Sequence, residues 1–346
     1  MNYFKNYVNF NKYLLLYLSL LGFFAIIHLY VKHTVGNDST ISEWIINYQG
    51  GLTRRGFIGE ICFHVAKLFN TNLRLIIFLF QSTFYLLFLL LTFNFFKKIS
   101  ANVITTFAIF TPIFLLYPIA EIEVLARKEI FMYIYFLGLI FLCDPKSKNE
   151  KYINSYIFLL TPIICLIYEE IVLFFPFVVA CIVFRRNIAT FKSFFKLCLL
   201  FAPSLMIVIF FFTFPMTTEN HQLMKESLLI NFNENCYMSC RLLVVNDIHK
   251  FDVVLKFIYG SASTEQILTW IVRYFSIFLI GFFPLLLLSS HSKIKNKNIF
   301  SYLKLTNIFF LMLFLYLPII PLFVFGGDLG RWIGMLISFS TFFYFF

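Results

Sequence analysis

Long apolar runs separated by short ionic segments constrain the fold of this chain more than any other feature. Of its 346 residues, 60% are hydrophobic and only 13% are charged, and the mean hydropathy is +0.85. A run of about 20 apolar residues is long enough to cross a bilayer as a helix. The pattern therefore predicts an all-α polytopic integral membrane protein, in which the whole chain, 1–346, forms a single transmembrane domain.

The apolar runs predict about ten transmembrane helices, with short interfacial helices in the outer loops. Two runs, 153–167 and 171–184, are short for a span, so they tilt, end below the surface or form a re-entrant pair. The ten predicted spans are approximately 13–31, 74–96, 101–120, 130–143, 153–167, 171–184, 197–215, 267–289, 299–325 and 333–346.

Basic residues are unevenly distributed between the two sides of these spans. If the N-terminus is inside, the inner segments hold more than half of the 28 lysines and arginines but only two of the 17 acids, Asp144 and Glu150. Short basic loops are typical of the cytoplasmic side of a membrane. We therefore predict a multi-pass protein with a cytoplasmic N-terminus and with long outer loops at 32–73 and 217–266. The basic loops carry no nucleic-acid-binding motif.

The seven cysteines fall into two groups. Five lie in or beside apolar segments, where inert packing is the usual role. Cys236 and Cys240 share the second outer loop, where a local disulfide can form. No spacing of cysteine and histidine is typical of a metal site, and His221 in this loop is expected to be isolated.

Paired arginines between glycines form the first ionic cluster, segment 50–56 with the sequence GGLTRRG. A guanidinium binds two phosphate oxygens at once and keeps its charge. A helix beginning near Phe57 would add its N-terminal dipole to an anion site. Arg54 and Arg55 are therefore candidate phosphate ligands. The alternative is an interfacial loop whose arginines contact lipid headgroups.

Two further clusters mix basic and acidic residues. In segment 126–129, Arg127 and Lys128 either contact phosphate or pair with nearby acids, and both interpretations remain open. In segment 326–332, GGDLGRW, Asp328 and Arg331 either face a ligand or pair locally across three residues. Trp332 is a candidate for stacking on a sugar ring, and the alternative is an interfacial anchor, as Trp44 and Trp270 are also expected to be.

Adjacent carboxylates form the fourth cluster, Glu169 and Glu170, with apolar residues on both sides. Desolvation and like-charge repulsion should raise one pKa, which suits a general base for a hydroxyl. Asp328 is the second candidate for this base. The alternative is that the acids pair with arginines and hold the spans together. No Asp-x-Asp motif is present, which favours arginines over a divalent cation as the partners of phosphate.

At these four clusters the chain resembles bacterial O-antigen and capsule polymerases of the Wzy type. The resemblance is carried by segment 43–60 (EWIINYQGGLTRRGFIGE), by segments 126–129 and 168–170, and by segment 327–332 (GDLGRW). It implies a helical glycosyltransferase of the bacterial inner membrane, which joins undecaprenyl-pyrophosphate-linked repeat units at the periplasmic face. The Arg-x10-Gly pattern of the better-described branch is not found when counting from Arg54, Arg55 or Arg241.

The expected enzyme inverts the configuration at the transferred sugar and uses no metal or other cofactor. Its partners are an undecaprenyl-pyrophosphate-linked oligosaccharide and membrane lipids, and a chain-length regulator protein is compatible with this interpretation. Nucleic acid is not an expected partner. The expected site residues are Glu169, Glu170 and Asp328 for catalysis, Arg54, Arg55, Arg127, Lys128 and Arg331 for pyrophosphate, and Trp332 for sugar stacking.

Three rival functions remain. Another membrane glycosyltransferase would add a single sugar from a monophosphate donor, with Asp38 and Glu43 as its acidic pair. A polysaccharide transporter or flippase would carry ionisable residues along both halves of the membrane, often with internal repeats, and no repeat is visible. A non-catalytic member of a biosynthetic complex is the third.

Overall fold

The computed structural model describes residues 2–35, 39–121, 123–241, 243–244, 263–294, 298–325 and 328–346. The protein is 78% helical and has no strand in the described ranges, where Lys293 and Asn307 form an isolated bridge. The all-α prediction is therefore confirmed. In chain order the helices are α1 (Asn2–Val35), α2 (Ser39–Trp44), α3 (Phe57–Leu68), α4 (Leu73–Phe96), α5 (Val103–Ile109), α6 (Tyr117–Ala120), α7 (Glu129–Cys143), α8 (Ile153–Ile167), α9 (Phe175–Arg186), α10 (Phe191–Leu199), α11 (Ala202–Thr213), α12 (Thr218–Phe232), α13 (Met238–Arg241), α14 (Thr264–Ser290), α15 (Ile299–Tyr302), α16 (Ile308–Tyr316), α17 (Ile320–Phe325) and α18 (Leu329–Phe345).

Helices long and apolar enough to cross a membrane account for about half of the predicted spans. Five such helical segments are described, and α10 and α11, bent by 53°, give a sixth if they form one broken span. The prediction of about ten spans is not confirmed, because the other four fall on shorter or interrupted helices. The five segments are Asn9–Thr34, Leu73–Phe96, Val103–Ala120, Asn149–Ile167 and Thr264–Ser290.

The shorter helices lie at the centre of the bundle. Helix α7 packs against α4, α8, α9 and α18, and every residue of α18 from Gly330 to Phe343 is buried. The rings of Phe136, Phe174 and Phe339 pack together there, with centroids 4.7 and 4.4 Å from that of Phe339. Continuous burial explains why these helices are apolar all round rather than amphipathic.

The central helix α7 is shorter than its neighbour α4. Lys98 Nζ lies 2.9 Å from Asp144 Oδ2, so the C-terminal ends of α4 and α7 lie at a similar level. Helix α4 has 24 residues and α7 has 15. At 1.5 Å per residue, α4 therefore extends about 13 Å beyond the start of α7. Helices α2 and α3 pack against α4, and α3 also packs against α8.

Short helices in both outer loops were predicted, and they are present. Helices α2 and α3 occupy the first loop, where Gly59 is required because a Cβ there would lie 1.9 Å from the Ile46 carbonyl oxygen. In the second loop Cys236 and Cys240 form a disulfide. The backbone N–H of Ser239 donates to Ser42 Oγ at 2.9 Å, which attaches α13 to α2. His249 lies outside the described residues, as do all positions from 245 to 262 of this loop.

Two of the three tryptophans are inside the protein rather than at the membrane interface. Trp44 is fully buried and donates its indole N–H to the Ala126 carbonyl at 3.1 Å. Trp332 is only 3% exposed, and Trp270 is half-buried. The prediction of interfacial anchors was wrong for Trp44 and Trp332, because the short central helices place these positions within the helix bundle.

Candidate active site

The four ionic clusters meet at one end of the bundle and form a continuous set of charged side chains, which we call the ionic network. It has as many carboxylates as basic side chains. Gly326, Gly327 and Asp38, which the sequence patterns also highlighted, lie outside the described residues, as does the side chain of Arg241. The members are Glu43, Arg54, Arg55, Arg127, Lys128, Glu129, Tyr168, Glu169, Glu170, Asp328 and Arg331.

Arg55 is surrounded by carboxylates. Its Nε lies 3.0 Å from both oxygens of Glu169, Nη1 lies 3.2 Å from Glu43 and Nη2 lies 2.6 Å from Glu170. The guanidinium also sits over the Tyr168 ring, 4.7 Å from its centroid. A phosphate could reach Arg55 only by replacing one of these partners. For Arg55, the structure thus matches the alternative in which ion pairs hold the segments together.

Glu43 is fully buried and joins two arginines. Its Oε1 lies 3.2 Å from Arg55 Nη1, and its Oε2 lies 3.2 Å from Arg127 Nε. Burial alone would raise the pKa of Glu43, but attraction from Arg127, Arg55 and Arg331 outweighs burial and holds the pKa well below its usual range. This central role of Glu43 was not predicted from the sequence. The available signal was an acid directly before the apolar residues Trp44, Ile45 and Ile46.

Lys128 cannot contact a ligand in this conformation. Its side chain is fully buried, and its Nζ donates to the Arg55 carbonyl oxygen. Burial lowers the pKa of Lys128 to about 7, although attraction from Glu43 opposes this shift. Its phosphate contact therefore stays a prediction, and in this structure the Arg55 carbonyl oxygen takes that place at Nζ. Lys128 was indistinguishable from Arg127 in the sequence because both are basic and adjacent.

Backbone strain accompanies the network at two non-glycine residues. Arg55 has φ +62° and Ala126 has φ +49°, both in the left-handed region. Such conformations cost about 1–3 kcal/mol each and persist only where surrounding contacts impose them. The Ala126 carbonyl accepts hydrogen bonds from Trp44 Nε1 at 3.1 Å and Gln81 Nε2 at 3.3 Å. These bonds fix the turn that places Arg127 in the network.

Glu169 and Glu170 begin a 3-10 helix, Glu169–Phe174. The Tyr168 hydroxyl lies 2.6 Å from Glu170 Oε2 and 3.1 Å from Glu129 Oε1, linking this turn to the start of α7. Burial raises the pKa of Glu169, but attraction from Arg55 and Arg54 outweighs burial and lowers it overall. The raised pKa expected of a general base is therefore not found at Glu169, because its cationic neighbours dominate.

Asp328 is the most accessible carboxylate of the network, with 42% of its side chain exposed. It lies 3.6 Å from Arg127 Nη1 and 3.5 Å from Arg331 Nε. Arg331 is buried, lies 3.1 Å from Glu129 Oε1 and stacks on the ring of Trp332. The sugar contact of Trp332 stays a prediction, and in this structure its buried ring packs against the Arg331 guanidinium. Arg54 is 19% exposed, and its Nη1 is 3.9 Å from Glu169.

Comparison with known proteins finds no relative. No protein-family model matches the sequence, and no similar protein is found among curated proteins or among solved structures. Any assignment of function therefore rests on the residues and geometry of the ionic network.

Among the described residues, one group of side chains has the chemistry of a metal site: His221, Cys236 and Cys240. Their ligand atoms lie within 4.8 Å of one another, and His221 Nε2 is 3.1 Å from Cys236 Sγ. The prediction that His221 is isolated was therefore wrong. Metals bind cysteine as the thiolate, so the disulfide and a metal at this position are mutually exclusive.

Proposed function

We propose that this chain is a glycosyltransferase of the bacterial inner membrane that polymerises undecaprenyl-pyrophosphate-linked oligosaccharides at the periplasmic face. The main support is that four clusters from distant parts of the chain share one network of ion pairs. A departing diphosphate requires fixed cations, and an attacking hydroxyl requires a carboxylate base. The polyprenyl tail requires a site open to the bilayer. The arginines and carboxylates of the ionic network supply the first two.

In this proposal the network divides into a supporting part and a reacting part. Glu43, Arg55, Glu169 and Glu170 hold the segments together, while Arg54, Arg127 and Arg331 contact the diphosphate. Asp328 is the favoured base, because it is more exposed than Glu169 or Glu170 and its contacts to arginine are longer.

The proposed reaction is a single displacement at the anomeric carbon. The acceptor hydroxyl oxygen forms the new glycosidic bond as the bond from that carbon to the diphosphate oxygen breaks. The electron pair leaves on the diphosphate, and the hydroxyl proton passes to Asp328. A single displacement inverts the configuration at the transferred sugar.

Orientation follows from two features in this proposal. Basic loops mark the opposite end of the bundle as cytoplasmic, and a disulfide in the loop attached to α2 is typical of an oxidising compartment. In cells with a permeabilised outer membrane, a membrane-impermeant maleimide should label the partly exposed Cys236 after reduction of its disulfide with an impermeant phosphine. A Cys236→Ser/Cys240→Ser variant should lose this labelling.

The exposed Ser193 on α10 provides the matched control for orientation. Introduced into the double-serine variant, Ser193→Cys should remain unlabelled until the inner membrane is also permeabilised. Labelling of Ser193→Cys in cells with an intact inner membrane would contradict the proposed orientation.

The product pattern tests the function itself. Deleting the gene should leave surface polysaccharide as single repeat units, and the wild-type gene on a plasmid should restore a ladder of longer chains. A ladder that persists after deletion would contradict the proposal. Loss of one sugar without loss of the ladder would instead favour the single-sugar transferase, and loss of even the single unit would favour a flippase.

A further inference from the structure

Asp328 occupies a capping position but does not cap. It is the N-cap residue of α18, where an aspartate commonly accepts a hydrogen bond from the first turn, yet its carboxylate makes no such bond. It lies instead 3.6 Å from Arg127 Nη1 and 3.5 Å from Arg331 Nε. These distances are long for directed hydrogen bonds. Charge attraction, rather than bonding geometry, therefore holds Asp328 between the two arginines.

Arg331 has hydrogen-bond donors that Asp328 does not engage. The residue is 6% exposed, and its Nη1 is buried with no hydrogen-bond partner among the described residues. Buried donors are nearly always satisfied in native proteins, and an unsatisfied one costs about 1–3 kcal/mol. The uncapped N-terminus of the 17-residue α18 lies directly beside it, and a helix N-terminus favours anions.

These observations indicate an anion site in which the Asp328 carboxylate engages only some of the available hydrogen-bond donors. A carboxylate presents two oxygens, whereas a diphosphate presents more acceptor oxygens and more charge. Two arginines and the first turn of α18 together offer more donors than one aspartate can engage. A larger anion would therefore be bound more tightly than the carboxylate.

We propose that Asp328 is an internal counter-anion, which the diphosphate of the lipid-linked donor displaces from Arg127 and Arg331. The identity of this ligand rests on the proposed function. Displacement has a second effect, because the carboxylate is then no longer held between Arg127 and Arg331. Asp328 can therefore meet the acceptor hydroxyl only after the donor is in place.

Binding of inorganic pyrophosphate to the purified full-length protein in detergent tests the displacement. Asp328→Asn should bind pyrophosphate at least tenfold more tightly than the wild type, because it removes the competing anion. Arg331→Met should lose binding. An unchanged or weakened affinity in Asp328→Asn would overturn the proposal. This result is independent of the polysaccharide ladder, so the displacement and the proposed function can fail separately.

Glu123→Gln is the matched control for long-range charge. Glu123 lies on the same face, is 43% exposed and contacts Lys32 at 2.5 Å, with no contact to Arg127 or Arg331 among its described partners. Its substitution removes one negative charge and should change pyrophosphate affinity less than twofold. If Glu123→Gln and Asp328→Asn raise the affinity for pyrophosphate equally, the gain comes from net charge alone. That result would overturn the displacement.

A measurement on the wild type avoids dependence on variant folding. Carbodiimide labelling of carboxylates, read by mass spectrometry, should increase at Asp328 when pyrophosphate is added and remain constant at Glu123. Unchanged labelling at Asp328 would contradict displacement. Competition by phosphatidylglycerol added to the micelles at the same concentration as pyrophosphate would identify the site's anion as a membrane lipid headgroup and would overturn the assignment to the donor.

Discussion

Glu43→Gln should lower the free energy of unfolding by about 3–5 kcal/mol, the largest stability effect expected of a single substitution in the network. Removing one partner from a buried ion pair leaves the other charge uncompensated in the protein interior. Glu43 is fully buried and contacts Arg55 and Arg127 at 3.2 Å each. This one substitution removes a counter-ion from both Arg55 and Arg127. Glu169, Glu170 and Asp328 would remain nearby.

Unfolding of the purified protein in mixed detergent micelles measures this effect. Glu60→Gln is the matched control, because it is the same substitution in the same outer loop at a partly exposed acid, which accepts from the Tyr48 N–H at 2.8 Å and from Gln49. We expect it to cost about 1 kcal/mol. If Glu43→Gln costs no more than Glu60→Gln, Glu43 does not compensate the two arginines.

A double substitution separates charge from packing. Glu43→Leu combined with Arg127→Met replaces one buried pair by apolar side chains, which is often close to neutral. The double variant should therefore be more stable than Glu43→Leu alone, although Arg55 still loses one partner. Additive losses would show that the coupling between Glu43 and Arg127 is negligible.

Asp328→Asn should reduce the rate of sugar transfer by about 10²–10⁴-fold, the range typical of the loss of a general base. Folding should be little affected, because the side chain is 42% exposed and makes no capping bond. The kcat should fall while the KM for the donor does not rise, a split that a purely structural role would not produce. Single-turnover transfer between purified lipid-linked repeat units provides the measurement.

Glu170→Gln provides the comparison for the base. Glu170 accepts from Arg55 at 2.6 Å, so this variant should lose stability while its folded fraction retains kcat. The reverse result, with full activity in Asp328→Asn and a kcat lower by about 10²–10⁴-fold in folded Glu170→Gln, would assign the base to Glu170 instead.

The sequence was sufficient for the helical class and for identifying the charged residues that meet. Apolar runs of span length predict helices directly, and the cost of a charge within them singles out Arg55, Glu169 and Asp328. The placement of Cys236 and Cys240 in one loop made a disulfide possible, and the structure shows that it forms. These inferences depend on composition and on position along the chain, which the sequence contains explicitly.

The sequence was insufficient for the pairing and depth of individual side chains. Arg127 and Lys128 are adjacent and equally basic, yet one joins Glu43 and Asp328 while the other is buried against a carbonyl. The direction of each side chain is set by the left-handed turn at Ala126, which no glycine marked. Likewise Trp332 is buried because α18 is central, a property determined by tertiary packing rather than by the pattern of residues.

The balanced charges at the outer ends of α7 and α18 also limit which movements the bundle can make. Sliding either helix along its axis would separate Glu129 from Arg331, or Arg127 from Glu43, inside a medium that screens charge poorly. The central helices and the turn at Glu169 therefore move as one body. Access for a bulky glycan therefore has to open at segments that carry no member of the network, such as the peripheral helix α14, around a fixed centre.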